Sequence, residues 1–147
     1  MTQQTPGPWP RVPCVGGVVV DAGRLLLVKR GHAPSAGLWS VPGGRLLEGE
    51  DPRDGCAREL LEETGLVVSV GGLVGTVERD APAGGTYVID DFLCTVEGTA
   101  PEPVAGDDAA EAGWFARSDV ERLASHDLLA PGVLDALAEW GVLDLLR

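Results

Sequence analysis

The chain has 147 residues, a mass of 15.3 kDa, 44% hydrophobic residues and 23% charged residues. That suffices for one domain with its own core and excludes a disordered chain. Eleven basic residues against twenty-three acidic ones give a net charge of −12, which repels nucleic acid polymers and anionic membranes at long range.

An anionic substrate is not excluded, but it needs a cation or a local arginine cluster to hold it. Cys14, Cys56 and Cys94 are odd in number, far apart and without CxxC spacing, so neither a disulfide framework nor a thiolate zinc site is expected. No basic region followed by an apolar stretch opens the sequence, and no apolar run reaches membrane-spanning length. The expected compartment is a reducing cytoplasm, with no membrane partner.

Met1 to Pro13 carries four prolines and reads as an extended N-terminal arm, leaving 14–147 as a single domain. The valine-rich segment from Val12 to Val20 predicts a buried strand. Asp21 to Gly23 is turn chemistry, and Arg24 to Arg30 completes a hairpin. After a loop from Gly31 to Gly37, Leu38 to Val41 predicts a short strand entering the tight turn Pro42-Gly43-Gly44. A helix starts at Asp51, a good N-cap, with Pro52 at the first helical position and Gly65 as the stop. Cys56, Ala57, Leu60, Leu61 and Thr64 are its expected inner side. Leu66 to Val77 and Thr86 to Val96 read as strands around a Gly/Pro-rich turn. Pro101 to Ala110 reads as an acidic loop and Gly113 to Ala116 as a short strand. Ser118 to Glu121 predicts a capping-box start of a second helix, and a third lies near Pro131 to Trp140. The fold class is therefore α/β or α+β, with a mixed sheet.

One segment carries chemistry. Glu59, Glu62 and Glu63 stand at i, i+3 and i+4 and share one helix face. Neighbouring carboxylates repel by about 1 kcal/mol at roughly 4 Å in water, and by more where solvent is excluded. Their place near the helix C-terminus adds an unfavourable dipole. A solvated acidic face with Arg58 as an ordinary i,i+4 partner is the plain reading; a hard divalent cation with oxygen ligands, Mg²⁺ first and Mn²⁺ next, is the functional one.

The surroundings of these glutamates decide between the two. Gly44, Glu50, Arg58, Glu59, Leu60, Glu62, Glu63, Gly65 and Leu66 match, position by position, the box G-x5-E-x7-R-E-U-x-E-E-x-G-U, where U is aliphatic. In this the sequence resembles the Nudix hydrolases. The resemblance implies an α/β/α sandwich around a mixed β-sheet and Mg²⁺-dependent hydrolysis of a nucleoside diphosphate linked to another group X. By box position, Glu59, Glu62 and Glu63 would be metal ligands, with the carbonyl of Gly43 or Gly44 as a further one. Glu62 or Glu63 would serve in catalysis, Glu62 as the alternative general base. Arg58 would hold a box glutamate by a charge-assisted bond, and Glu50 would anchor the loop or reach a metal through water.

Outside the box the resemblance points to Arg30 for substrate contact, against a solvated strand-end arginine. It also points to a loop carboxylate before Trp114, Asp108 or Glu111, as metal ligand or base. Trp39 beside the glycine-rich turn is a base-stacking candidate, with core packing as the alternative. The run Tyr87 to Phe92, with Asp90 and Asp91, is similar to ADP-ribose-type members. The expected substrate is thus a small nucleotide, ADP-ribose or a nucleoside diphosphate sugar first. A (d)NTP of the nucleotide pool and a non-catalytic ligand-sensing module are the alternatives. No nucleic acid polymer is expected, and a homodimer is left open. Serine hydrolase, P-loop, dinucleotide-binding and zinc-protease motifs are absent from the sequence.

Overall fold

The computed structural model describes residues 10–33, 35–99, 101–106 and 108–147. Residues 1–9 of the expected arm, and Asp107 in the acidic loop, lie outside the described residues. In chain order the elements are β1 (Arg11–Asp21), β2 (Arg24–Arg30), β3 (Trp39–Ser40), β4 (Gly43–Arg45), α1 (Pro52–Thr64), β5 (Val68–Asp80), β6 (Thr86–Val96), β7 (Ala109–Phe115), α2 (Arg117–Ser125) and α3 (Val133–Glu139). A 3-10 turn (Leu143–Leu145) closes the chain.

β1 is the hub. It joins β2 through a two-residue turn with φ of 51° at Ala22 and 75° at Gly23, the backbone that suits the right-handed twist of a hairpin. It pairs antiparallel with β4 at Cys14 to Gly16 and parallel with β6 from Arg11 to Val19, and β6 pairs antiparallel with β5. β2 in turn carries β3 and β7, both antiparallel. The sheet is mixed, as the sequence predicts.

Of the boundaries that differ from expectation, three have a plain physical reason. Arg11, read as arm alone, joins the predicted strand with Val12 and Pro13, because their backbone finds a parallel ladder opposite Thr86, Tyr87 and Val88. β7 starts at Ala109 rather than Gly113, since β2 offers it a partner as far as Arg30. The second helix is capped at Ala116, not Ser118: Asp119, three residues on, accepts the Ala116 N–H at 2.9 Å.

The placement of α1 follows from its caps and its stripe. Asp51 accepts from the N–H groups of Arg53 and Asp54, and Pro52 needs no donor there. Gly65 ends the helix at φ 74° and donates to the Leu61 carbonyl. Cys56, Leu60 and Thr64, each four residues apart, are fully buried against the sheet, whereas Leu61 is 51% exposed. The stripe is therefore narrower than expected, because Leu61 is a third of a turn off the Leu60 line.

β1 alternates between two cores. Val15 and Val19 face α1 with Leu26, Cys56, Leu60, Leu66 and Phe92. Val18 faces the other way with Leu25, Leu27, Val120, Val133 and Leu137, under α2 and α3. Helices on both faces explain why β1 and β2 read as continuous apolar runs instead of alternating ones. Each such fully buried side chain contributes about 1.5–3 kcal/mol. The layers form an α/β/α sandwich. No helix among the described residues is long and apolar enough to cross a membrane.

Candidate active site

The glycine turn and α1 build the site together. β4 lies close over β1, and a Cβ on Gly43 would overlap the Val15 carbonyl. A Cβ on Gly44 would overlap the Glu59 carboxylate. Bare backbone at these two positions lets the acidic face of α1 approach the strand. The Gly43 N–H donates to Glu63 Oε1 at 3.2 Å.

Arg58 organises the other side of the helix. Its Nε and Nη2 grip the two oxygens of Glu50 at 2.8 and 2.9 Å, the bidentate geometry that makes arginine–carboxylate pairs strong. Its Nη1 donates to Glu59 Oε1 at 2.8 Å and to Glu62 at 3.2 Å, and its Nη2 donates to the Arg45 carbonyl. Glu50 also accepts the Leu47 N–H, so one arginine closes the loop between β4 and α1. These bonds hold the Glu50 carboxyl down at about 2, the Arg58 contact being the main cause.

The three box glutamates are not equivalent. Glu63 is 8% exposed, and burial pushes its carboxyl up to about 7, with the Glu59 and Asp108 charges adding to burial and the Gly43 N–H and Arg30 opposing it. Glu59 is likewise raised, by burial first, against the pull of Arg58. The Glu62 side chain is 57% exposed and lies on Arg58. Among the described residues no three His, Cys, Asp or Glu side chains converge into a ready-made metal cluster; Glu59 and Glu63 are the pair that share the cleft.

That cleft holds about 280 Å³ and is lined by Glu59 and Glu63 from α1, by Gly43 and Gly44, and by Tyr87, Ile89 and Asp91 from β6. Arg30 and Asp108 line it. Asp108 gets there through backbone bonds that its own neighbourhood in sequence does not reveal. The last carbonyls of α1, at Glu63 and Thr64, accept the N–H groups of Gly106 and Val104, and Gly31 donates to the Asp108 carbonyl. The acidic loop thereby satisfies a helix C-terminus and lies beside the carboxylates. Glu111 is elsewhere: it pairs across the strands with Lys29 at 3.3 Å, exposed and outside the cleft lining. Trp39 is outside the lining too, packed edge-on to Phe115 at 4.8 Å in the core under α2 and α3.

Arg79, Tyr87 and Ser40 also line the cleft, and the motif spacing does not point to them. Period-2 alternation along β6 was the available signal: Tyr87, Ile89 and Asp91 share the cleft face, while Asp90 faces away and accepts from Thr76 at 2.8 Å. Desolvation lowers the Arg79 pKa, and the Arg30 charge lowers it further.

The NUDIX domain family model matches residues 10–137. The chain is 36% identical over 113 residues to an ADP-ribose pyrophosphatase of Methanocaldococcus jannaschii, covering 75% of this chain and 64% of that protein. It is 29% identical over 117 residues to an oxidized purine nucleoside triphosphate hydrolase of Danio rerio, covering 80% and 72%. The crystal structure of a MutT NUDIX hydrolase from Burkholderia pseudomallei superposes with a TM-score of 0.73 at 30% identity, over 88% of this chain and 97% of that one. A complete box on a loop–helix framed by this sheet, with a family match over most of its length, places the chain in the Nudix hydrolase family.

Proposed function

We propose that this Nudix hydrolase cleaves the diphosphate linkage of a small nucleotide in a reaction that depends on a divalent cation, Mg²⁺ first, with Mn²⁺ as a substitute. ADP-ribose or another nucleoside diphosphate sugar is the favoured substrate. The observation that carries this reading is the pairing of Glu59 and Glu63, one turn apart and both raised by burial, in the wall of one cleft of about 280 Å³. Desolvated carboxylates whose charged forms are disfavoured, beside a bare glycine backbone, fit a hard cation with all-oxygen ligation. Glu59, Glu63 and a carbonyl of Gly43 or Gly44 would hold it, with Glu62 joining if it leaves Arg58. Bound there, the cation would act as a Lewis acid on the diphosphate and offset its charge.

The chain's own groups supply the rest. Arg58 orients Glu59 through the 2.8 Å bond and keeps the loop of Glu50 in register. Arg30, on the cleft wall, offers positive charge to the substrate's phosphates. Asp108, on the loop docked against the C-terminus of α1, is placed to take the proton of the attacking water, with Glu62 as the alternative base. The acidic protein thus needs no basic surface to bind an anion. Residues 14–147 act as one domain in this reading, because both cores share β1.

A nucleotide panel tests the proposal. Phosphorus-containing products should form from ADP-ribose with Mg²⁺ or Mn²⁺, stop on chelation and return on adding the cation back. The fish relative supports including oxidised purine triphosphates in the same panel. Full turnover after verified metal removal would overturn the cation dependence, and binding without turnover of any nucleotide would favour a ligand-sensing module.

A further inference from the structure

Asp91 is a built feature with no use in the chemistry above. It is 2% exposed, it lines the cleft from β6, and its Oδ1 has no hydrogen-bond partner among the described residues. Leaving a buried polar atom unpaired is unfavourable, so such groups in folded proteins call for a reason. The neighbouring strand makes room for it. Gly16 is the parallel register partner of Asp91, and a Cβ there would overlap Oδ1. The adjacent Asp90, bonded to Thr76 on the opposite side, shows that two aspartates in a row have separate fates.

The surroundings narrow the ligand. Val41, Val77, Ile89 and Val133 line the same cleft as this acid. Apolar walls with a few polar groups among them, here Asp91 with Tyr87 and Arg79, suit a flat ring that carries an N–H at its edge. Position agrees with this. Gly16 faces Gly43 on one side and Asp91 on the other, so β4, whose Gly43 N–H donates to Glu63 of α1, and β6, which carries Asp91, lie two strand spacings apart, about 10 Å. A nucleoside has that reach from its base edge to its first phosphate. Burial also holds the Asp91 carboxyl up at about 7, against the pull of Arg79. Its neutral form offers a donor beside the acceptor, which complements an amino group next to a ring nitrogen.

We propose that Asp91 is a specificity-determining residue of the nucleoside end of the cleft, its Oδ1 accepting a hydrogen bond from the exocyclic amino group of the substrate's nucleobase. This rests on the reading of the chain as a nucleotide hydrolase and adds which part of the nucleotide is read, and by which atom.

The test compares ADP-ribose with the analogue whose adenine amino group is replaced by hydrogen, by turnover and by calorimetric binding in the presence of Ca²⁺. Wild type should favour the amino form by about 10- to 100-fold, mostly through KM and Kd. In Asp91→Ala the amino form should weaken and the ratio fall to near 1. Asp91→Val, which replaces the buried acid by an apolar group of similar size, serves if the alanine variant does not fold. A wild-type binding ratio near 1, or a ratio unchanged in the folded variant, overturns the assignment. Selective binding with no turnover would sink the hydrolase reading while keeping Asp91. Turnover with no selectivity would do the reverse, and neither binding nor turnover would overturn both.

Discussion

On one side of α1, Arg58 gathers Glu50, Glu59 and Glu62 with bonds of 2.8–3.2 Å, and Glu50 is held down at about 2. On the cleft side, Glu63 and, across the sheet, Asp91 are pushed up to about 7 by burial. Glu50 on the one side and Glu63 and Asp91 on the other thus sit at opposite ends of the carboxylate range, while Glu59, bonded to Arg58 but half-buried, is raised. The first group is paired with a resident cation and stabilises the loop–helix junction. The second carries a desolvation penalty that a bound ligand could relieve, which is how functional sites commonly differ from structural ion pairs.

The difference can be broken at either end. The largest effect is expected from Asp108→Asn, which should lower kcat about 10²- to 10⁴-fold if Asp108 is the general base. Thermal melts should show little change, since its side chain is 80% exposed. Unaltered kinetics would return the base role to Glu62. Next, Glu63→Gln should cut turnover by about 10²- to 10³-fold, the scale of a lost charge-stabilising contact. The apo protein should be as stable or more so, because a buried like charge near a helix C-terminus is gone. Melts with EDTA and with saturating Mg²⁺ check this: the cation-induced rise of Tm should shrink in the variant. An equal rise in both proteins would remove Glu63 from the site.

Arg58→Ala attacks the paired side. Removing one partner from a fully buried pair costs about 3–5 kcal/mol, and partial exposure here reduces that to about 2–3 kcal/mol. Urea unfolding should show it; a loss below about 0.5 kcal/mol would mean that the cluster contributes little.

A pH series sharpens the cleft side. The Asp91 pKa rises from 3.8 to about 7 on folding, so between those values the folded state holds a proton that the unfolded chain has released. Stability contributed by this group is therefore present below about 4 and lost as pH rises towards 7. Glu63 slopes the same way, so the informative quantity is wild type minus Asp91→Asn. The full shift corresponds to about 4 kcal/mol, and relaxation around the charge should leave about 2 kcal/mol between pH 4 and pH 8. A pH-independent difference would refute the buried acid. The smallest effect is expected at Glu111→Gln, where an exposed pair with Lys29 is worth under about 1 kcal/mol and kcat should not move; a kcat loss like that of Asp108→Asn would place Glu111 in the chemistry after all.

Much of the framework was legible because it is encoded locally. Asp51, Pro52 and Gly65 mark the ends of α1 by rules that involve only a few consecutive residues. The hairpin of β1 and β2 follows from valine-rich and leucine-rich runs around a two-residue turn, and the box places its glutamates on one face by helical spacing alone. The sequence by itself therefore determined the family, the main helix and the acidic face. Tertiary structure decided which of Asp108 and Glu111 enters the cleft, since that depends on the Gly106 and Val104 N–H groups reaching the end of α1 some forty residues away. It also turned Trp39 onto Phe115, split Glu62 from its neighbours, and put Asp91 over Gly16. Those choices depend on which strand lies beside which and on what each neighbour leaves room for, and periodicity within a single segment carries no record of either.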